Sequence, residues 1–245
     1  MQACMQPWGP GVVAVLVGSV LGTGAPIAMA QPVVREWPFE ARLDGRPIGE
    51  HRFVLTETGD QRQLQSEASF TVRLLGLVVY RYQHTAQERW RGDCLTAMES
   101  RTNDDGKAQV VRAQALGDGA AGLRVTVSPG EAVREVPGCT MGFAYWNPAL
   151  RRQTQLINVQ TGRLEPVQVE RMADGSLEAR GATVPAERWR IRTRDQTIDV
   201  WYAAQGGEWI GLDAQVRGGR QFSYRLPART QASTPTPTST THALR

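Results

Sequence analysis

Between Trp37 and Leu226 the chain alternates apolar and polar residues with a period near two, and glycine- or aspartate-rich turns interrupt it at short intervals. Trp37, Phe39, Ala41 and Leu43 alternate with Pro38, Glu40 and Arg42, and Asp44-Gly45-Arg46-Pro47 then turns the chain. Residues 48–56, 64–75 and 77–90 follow in the same manner, broken at Thr58-Gly59-Asp60 and at Gly76. Further runs lie at 94–101, 110–116 and 123–127, with a hairpin signal at Asn103-Asp104-Asp105-Gly106. The late region repeats the style at 164–172, 187–194, 197–203, 209–216 and 221–226. In one of these, Trp189 and Ile191 oppose Arg188, Arg190, Arg192 and Arg194. About twelve strands joined by short turns must lie antiparallel to their neighbours. So long a meander has to curl to hide its apolar face and its edges. The pattern predicts an all-β fold, a barrel or a strongly curved open sheet.

One segment departs from period two. After Phe143, Tyr145 and Trp146 comes Asn147, a good N-cap, then Pro148, which suits the first position of a helix. Leu150, Thr154 and Ile157 share a rough helical stripe, which predicts one short helix over 148–157.

The ends read differently. Gly11 to Leu21 is an uncharged apolar run followed by Ala28-Met29-Ala30, the small-x-small pattern of a signal peptide cleaved after Ala30, although residues 1–10 carry no Lys or Arg. Residues 228–245 are rich in Thr and Pro and predict a disordered tail. The expected organisation is a signal peptide (1–30), one β domain (31–227) and that tail (228–245). The expected location is the periplasm, with no membrane span left after cleavage.

Composition narrows the function classes. At 41% hydrophobic and 21% charged, the chain is neither fibrous nor largely disordered. Of 28 basic residues only Lys107 is lysine, and the net charge of +4 is spread with acids interleaved. Nucleic-acid binding, which needs a clustered basic face, is not expected. Cys94 and Cys139, the two cysteines beyond residue 30, are most simply a disulfide in an exported chain; two separate buried thiols are the alternative. No C-x-x-C, G-x-S-x-G, H-E-x-x-H or phosphate loop occurs, so no catalytic residues, metal site or cofactor are assigned. His51 and His84 are the histidines within 31–227, and strand histidines without a catalytic role are the ordinary case.

The aromatic residues carry more information. Seven tryptophans, one of them Trp8 in the export segment, either fill a core or line an apolar cavity with a few polar anchors. The candidate lining comprises Trp37, Phe53, Tyr80, Tyr82, Phe143, Tyr145 and Trp146, with Arg81, Arg89, Arg151 and Arg152 as nearby anchors in the chain.

Several strings also resemble a family. They are Trp37-Pro38-Phe39 through Leu43-Asp44-Gly45 to Ile48-Gly49-Glu50-His51-Arg52-Phe53, then Val79 to His84, Asp93-Cys94-Leu95, and Pro137-Gly138-Cys139-Thr140-Met141-Gly142-Phe143-Ala144-Tyr145-Trp146-Asn147-Pro148. Together they resemble an uncharacterised family of exported proteobacterial β-rich proteins, a domain of unknown function, over about residues 36–226. The resemblance implies an envelope protein, associates the chain with fatty-acyl and membrane-lipid chemistry, and carries over no catalytic residue. The resulting expectation is a periplasmic, non-enzymatic protein that binds or carries a lipid or fatty-acyl ligand. The other expectations are an envelope interaction or scaffolding module with a filled core and, less favoured, an enzyme.

Overall fold

A computed structural model of the protein describes residues 31–228, apart from 118–120 and 131. The expected signal peptide and all but the first residue of the expected tail lie outside the described residues. Eight strands follow one another as consecutive hairpins: β1 (Val33–Leu43), β2 (Arg46–Thr58), β3 (Gln61–Leu74), β4 (Leu77–Arg91), β5 (Cys94–Asp104), β6 (Lys107–Ala115), β7 (Leu123–Ser128) and β8 (Ala132–Val136). A little ribbon of β9 (Gln155–Ile157) and β10 (Leu164–Pro166) comes next. The chain closes with β11 (Gln168–Arg171), β12 (Gly175–Ala179), β13 (Ala182–Arg192), β14 (Thr197–Ala203), β15 (Trp209–Val216) and β16 (Arg220–Arg225).

All but β9 and β10 join one antiparallel sheet of 14 strands. Strands β11 and β12 pair with the two halves of β13, and β13 to β16 form a second meander. The two meanders meet where β16 pairs with β1, from Glu40 opposite Arg225 to Leu43 opposite Phe222. Strand β8 at one end and β11 and β12 at the other do not pair with each other. The expected all-β class holds, as a curved open sheet related to a barrel and not a closed one.

Local chemistry explains the hairpins. Buried and exposed positions alternate strictly through the second half of β4, where Tyr82, His84, Ala86, Glu88 and Trp90 point inward. Asp44-Gly45 and Asp105-Gly106 take positive φ at both turn residues, the two-residue turn whose twist matches its strands. Gly49 is needed for another reason. Its φ is +149°, and a Cβ there would lie 1.9 Å from the Ser69 carbonyl oxygen.

The inner face is covered by the chain between the two meanders, residues 137–167. Cys139 is bonded to Cys94 at the head of β5, with Cα atoms 4.2 Å apart. Leu95 N–H donates to the Thr140 carbonyl (3.2 Å) and Ile157 N–H to the Met141 carbonyl (2.9 Å). Met141, Leu150, Leu156 and Ile157 are fully buried. Gly162 passes so close beneath β6 and β7 that a Cβ would sit 2.8 Å from Val127 Cγ2. The Ser100 hydroxyl donates to the Val159 carbonyl.

The helix expected over 148–157 is corrected. Pro148–Arg152 form a five-residue 3₁₀ helix, with the Asn147 side chain accepting from Ala149 N–H (2.9 Å) as foreseen, and Gln155–Ile157 are strand. Tertiary bonds decide it. Thr154 carbonyl accepts from Val167 N–H (2.9 Å), and Ile157 N–H is already given to Met141, so neither group is left for an α-helical ladder.

Two outcomes test this account. Replacing Cys94 and Cys139 together by serine should lower stability by about 4 kcal/mol, the chain-entropy value for a loop of this size, read by urea denaturation. Gly49→Ala should cost on the order of 3 kcal/mol because backbone must move. Gly59→Ala, with open space around the Cβ but a left-handed φ of +61°, should cost only about 1 kcal/mol.

Candidate functional site

The strand registers place the inner-face residues of β1 to β5 in cross-strand rows. One row runs Phe39, His51, Ala68, His84, Thr102, and the next runs Trp37, Phe53, Ser66, Ala86, Ser100. Large rings therefore crowd β1 and β2, small residues occupy β3 and the middle of β4, and a few polar groups lie among them. Trp209 of β15 and Tyr224 of β16 complete the aromatic side. Phe39 lies 4.4 Å from Trp209 and 5.5 Å from Tyr224 between ring centroids, and Phe53 lies 5.0 Å from Trp209.

His51 sits at the centre of this wall. Its ring stacks on Phe53 at 3.9 Å and meets the edges of Phe70 and Tyr224. Nδ1 is hydrogen-bonded to the Tyr224 hydroxyl (2.7 Å). Nε2 is buried and has no partner among the described residues. Whichever nitrogen carries the proton, Nε2 is left with one unmet hydrogen bond. His84 lies 6.3 Å from His51 between ring centroids, and its Nδ1 is bonded to the Thr102 hydroxyl (2.8 Å). Burial holds the His51 pKa well below the ordinary imidazole value, with the neighbouring His84 adding to the effect, and burial lowers that of His84 to about 4. Both rings are neutral at neutral pH. Burial likewise pushes the Tyr224 and Tyr82 hydroxyls up, so they remain un-ionised donors.

Further along β4, Glu88 is buried and accepts from Trp90 Nε1 (3.0 Å). Burial raises its pKa to about 7 against the opposing effect of that hydrogen bond. Among the described residues no group of three His, Cys, Asp or Glu side chains is arranged to hold a metal ion.

The structure distributes the seven expected lining residues. Trp37, Phe53 and Tyr145 gather round Trp209, at 6.1, 5.0 and 5.4 Å between centroids. Tyr82 stacks on Phe70 (5.2 Å) one row away. Phe143 lies against Tyr145 at 6.3 Å. Trp146 belongs to another cluster, edge-on to Trp90 at 5.5 Å with the Arg62 guanidinium over its ring. Tyr80 stands near the rim and donates to Asp104 Oδ1 (2.7 Å). Of the four arginines, Arg151 lies over the Tyr202 ring (4.3 Å) and near Glu187, while Arg81, Arg89 and Arg152 are exposed. Phe39, Phe70, Trp209 and Tyr224 were not singled out by sequence, although each sits on the apolar phase of its strand. Two hollows of about 450 and 580 Å³ are open at the surface; the second is lined in part by Phe39, and neither contains His51, Trp37, Phe53, Tyr82 or Tyr145.

The buried titratable groups give a pH dependence with opposed slopes. A Glu88 pKa raised to about 7 means that between about 4.5 and 7 the unfolded carboxyl is ionised while the folded one stays protonated. Stability from this group therefore falls as pH rises through that window. A His84 pKa lowered to about 4 means that the unfolded imidazole protonates first as pH falls below about 6.5, so stability is lost towards acid, and His51 acts in the same direction. Glu88→Gln keeps an acceptor for Trp90. It should gain about 3 kcal/mol over the natural protein at pH 8 and almost nothing at pH 4. A gain independent of pH, by urea denaturation, would show that the carboxyl does not titrate there.

Against known proteins, the chain belongs to the family described as a domain of unknown function (DUF6134), whose match covers residues 39–227. No curated protein matches it. Among solved structures it is similar to the crystal structure of a beta-barrel-like protein of domain of unknown function DUF1849 from Brucella abortus. That likeness has 10% identity and a TM-score of 0.57, over 80% of this chain and 96% of the other. At that identity the likeness is one of fold.

Proposed function

We propose that this member of the DUF6134 family is an exported, periplasmic, non-enzymatic protein that binds a lipid-like molecule with an apolar chain and a small polar head. The observation that carries the reading is the buried, unpartnered Nε2 of His51, set in a wall of Phe39, Phe53, Phe70 and Tyr224. Leaving a buried polar atom unsatisfied is costly. Among the described residues Trp37 Nε1 in the adjacent row, Trp146 Nε1, Arg151 Nε and Arg188 Nε share that state, and His51 Nε2 is the one carried by a neutral imidazole that can either donate or accept. A ligand hydroxyl, carbonyl or carboxylic acid would satisfy it, since a neutral imidazole imposes no charge requirement. The chain would lie over the aromatic rings, where each methylene taken from water contributes about 0.8 kcal/mol. Beside it on β3 and β4 the inner-face residues Ser66, Ala68 and Ala86 are small.

A second reading has its own support. Residues 137–167 already pack over much of the inner face, which suits an envelope interaction module that works from its outer surfaces. Lipid binding then requires that strap to shift, and the experiment separates the two. Protein purified without detergent from the periplasm is extracted with organic solvent and analysed by mass spectrometry. The expected result is a fatty-acyl species in near-stoichiometric amount, reduced about tenfold or more in His51→Phe, which keeps the ring and removes the polar partner. Absence of any acyl species, together with a protein that cross-links stoichiometrically to the folded domain in cells, would favour the second reading.

A further inference from the structure

The longest hairpin of the sheet runs past its neighbours. Strand β2 pairs with β3 only as far as Gly49 opposite Phe70, and β5 pairs with β4 only as far as Tyr82 opposite Asp104. Yet β3 and β4 remain paired to each other out to Leu74 opposite Leu77. Residues 71–81 are therefore a two-stranded finger that projects about four residues, roughly 13 Å, beyond the rim.

That finger is apolar where a solvated hairpin would be polar. Leu74, Leu75, Leu77 and Val79 are 63%, 95%, 72% and 51% exposed. From Ala68 to Tyr82 there is no Asp or Glu, while Arg73 and Arg81 flank the leucines. Among the described residues neither guanidinium has a carboxylate partner: Arg73 donates to the Gly76 carbonyl (3.4 Å), and Arg81 engages Asp105 through its backbone N–H. Asp104 and Asp105 lie below, at the next turn, where Asp104 accepts from Tyr80.

The turn itself argues against a role in folding. Leu75 and Gly76 have φ of +51° and +83°, the same two-residue turn as Asp44-Gly45 and Asp105-Gly106. The other two use aspartate at the first position, a residue that tolerates a left-handed backbone. A leucine there is strained and almost wholly in solvent, so it contributes nothing to the fold that Asp or Asn would not do better.

We infer that the tip of the β3–β4 hairpin is a membrane-docking finger, whose leucines enter the surface of an anionic lipid bilayer while Arg73 and Arg81 meet the headgroups. A narrow convex tip offers no groove for a peptide. Its layering, with aliphatic side chains outermost and Arg and Tyr behind, follows the polarity gradient of a bilayer interface. The two guanidinium groups, without a carboxylate partner among the described residues, supply the charge complementarity. The finger does not depend on an interior ligand, so it stands or falls apart from the reading above.

The test is vesicle co-sedimentation of the purified full chain. The probes are vesicles of phosphatidylethanolamine with phosphatidylglycerol and, separately, vesicles of phosphatidylcholine alone. Leu75→Asn with Leu77→Thr keeps the turn and strand preferences. It should fold with unchanged or higher thermal stability and lose at least about tenfold in partitioning to both kinds of vesicle. Arg73→Gln with Arg81→Gln should abolish the preference for the anionic vesicles and its salt sensitivity. His51→Phe should bind vesicles as the natural protein does, whatever its lipid content. Failure of the natural protein to sediment with either vesicle, or equal sedimentation by the leucine variant, would overturn the inference. So would a concentration-dependent dimer that the leucine variant abolishes, which would make a second copy the occupant.

Discussion

An antiparallel sheet with an apolar inner face and two unpaired edges cannot stand alone in water. The covering of that face by residues 137–167 is the constraint on which the rest of this structure depends. Two meanders are held together edgewise by the β16–β1 ladder, and facewise by a strap that starts at the Cys94–Cys139 bond and ends at β10. The strap uses its backbone as much as its side chains. Its carbonyls at Thr140 and Val159 accept from Leu95 and Ser100 of β5, and that of Tyr145 accepts from Tyr202 of β14, so the strap is tied to both meanders. Gly162 then lets the chain lie flat on three valines, where any side chain would prise it away.

The strap meets β5 to β7 through Val159 and Gly162 and reaches β4 where Trp146 lies edge-on to Trp90, while β1 and β2 carry large rings of their own. That asymmetry explains where polar groups survive on the inner face. Ser100 is satisfied by the strap, His84 by Thr102 and Glu88 by the adjacent Trp90 indole. His51 keeps a buried ring nitrogen without a partner among the described residues, as Trp37 does in the adjacent row; the row neighbours of His51 are Phe39 and Ala68, neither of which offers a side-chain hydrogen bond. Burial keeps both imidazoles neutral, so this region of the wall is polar without being charged.

The outer surface follows ordinary rules over most of its area and departs from them at one end. Ion pairs such as Arg190 with Asp199, bonded through two nitrogens at 2.7 Å each, knit adjacent strands across the polar face. Hairpin β3–β4 abandons that scheme at the point where neighbouring strands stop supporting it. Nothing in the folding of the sheet requires leucine at a left-handed turn position, and the departure falls at the most prominent point of the rim.

Local pattern was enough to read the strands and most of the turns. Tyr82 to Trp90 alternate without fault, and Asp44-Gly45 and Asn103 to Gly106 carry turn chemistry in their own side chains. Short connections then left antiparallel neighbours as the sole option. The pairing of Cys94 with Cys139 was likewise open to simple counting. What the chain order could not decide were contacts that local preference does not encode. The β16–β1 seam joins strands at opposite ends of the domain, and whether β8 then meets β11 depends on the accumulated twist of every strand between them. Residues 155–157 became strand and not helix because Met141 and Val167, distant in sequence, took hydrogen bonds of Ile157 and Thr154. The same holds for the candidate site. Trp37, Phe53 and Tyr145 could be named from composition, but their gathering round Trp209, and the meeting of His51 with Tyr224 across 173 residues, exist only once the two meanders are brought edge to edge. Periodicity assigns a side chain to a face; only closure of the sheet assigns it a neighbour.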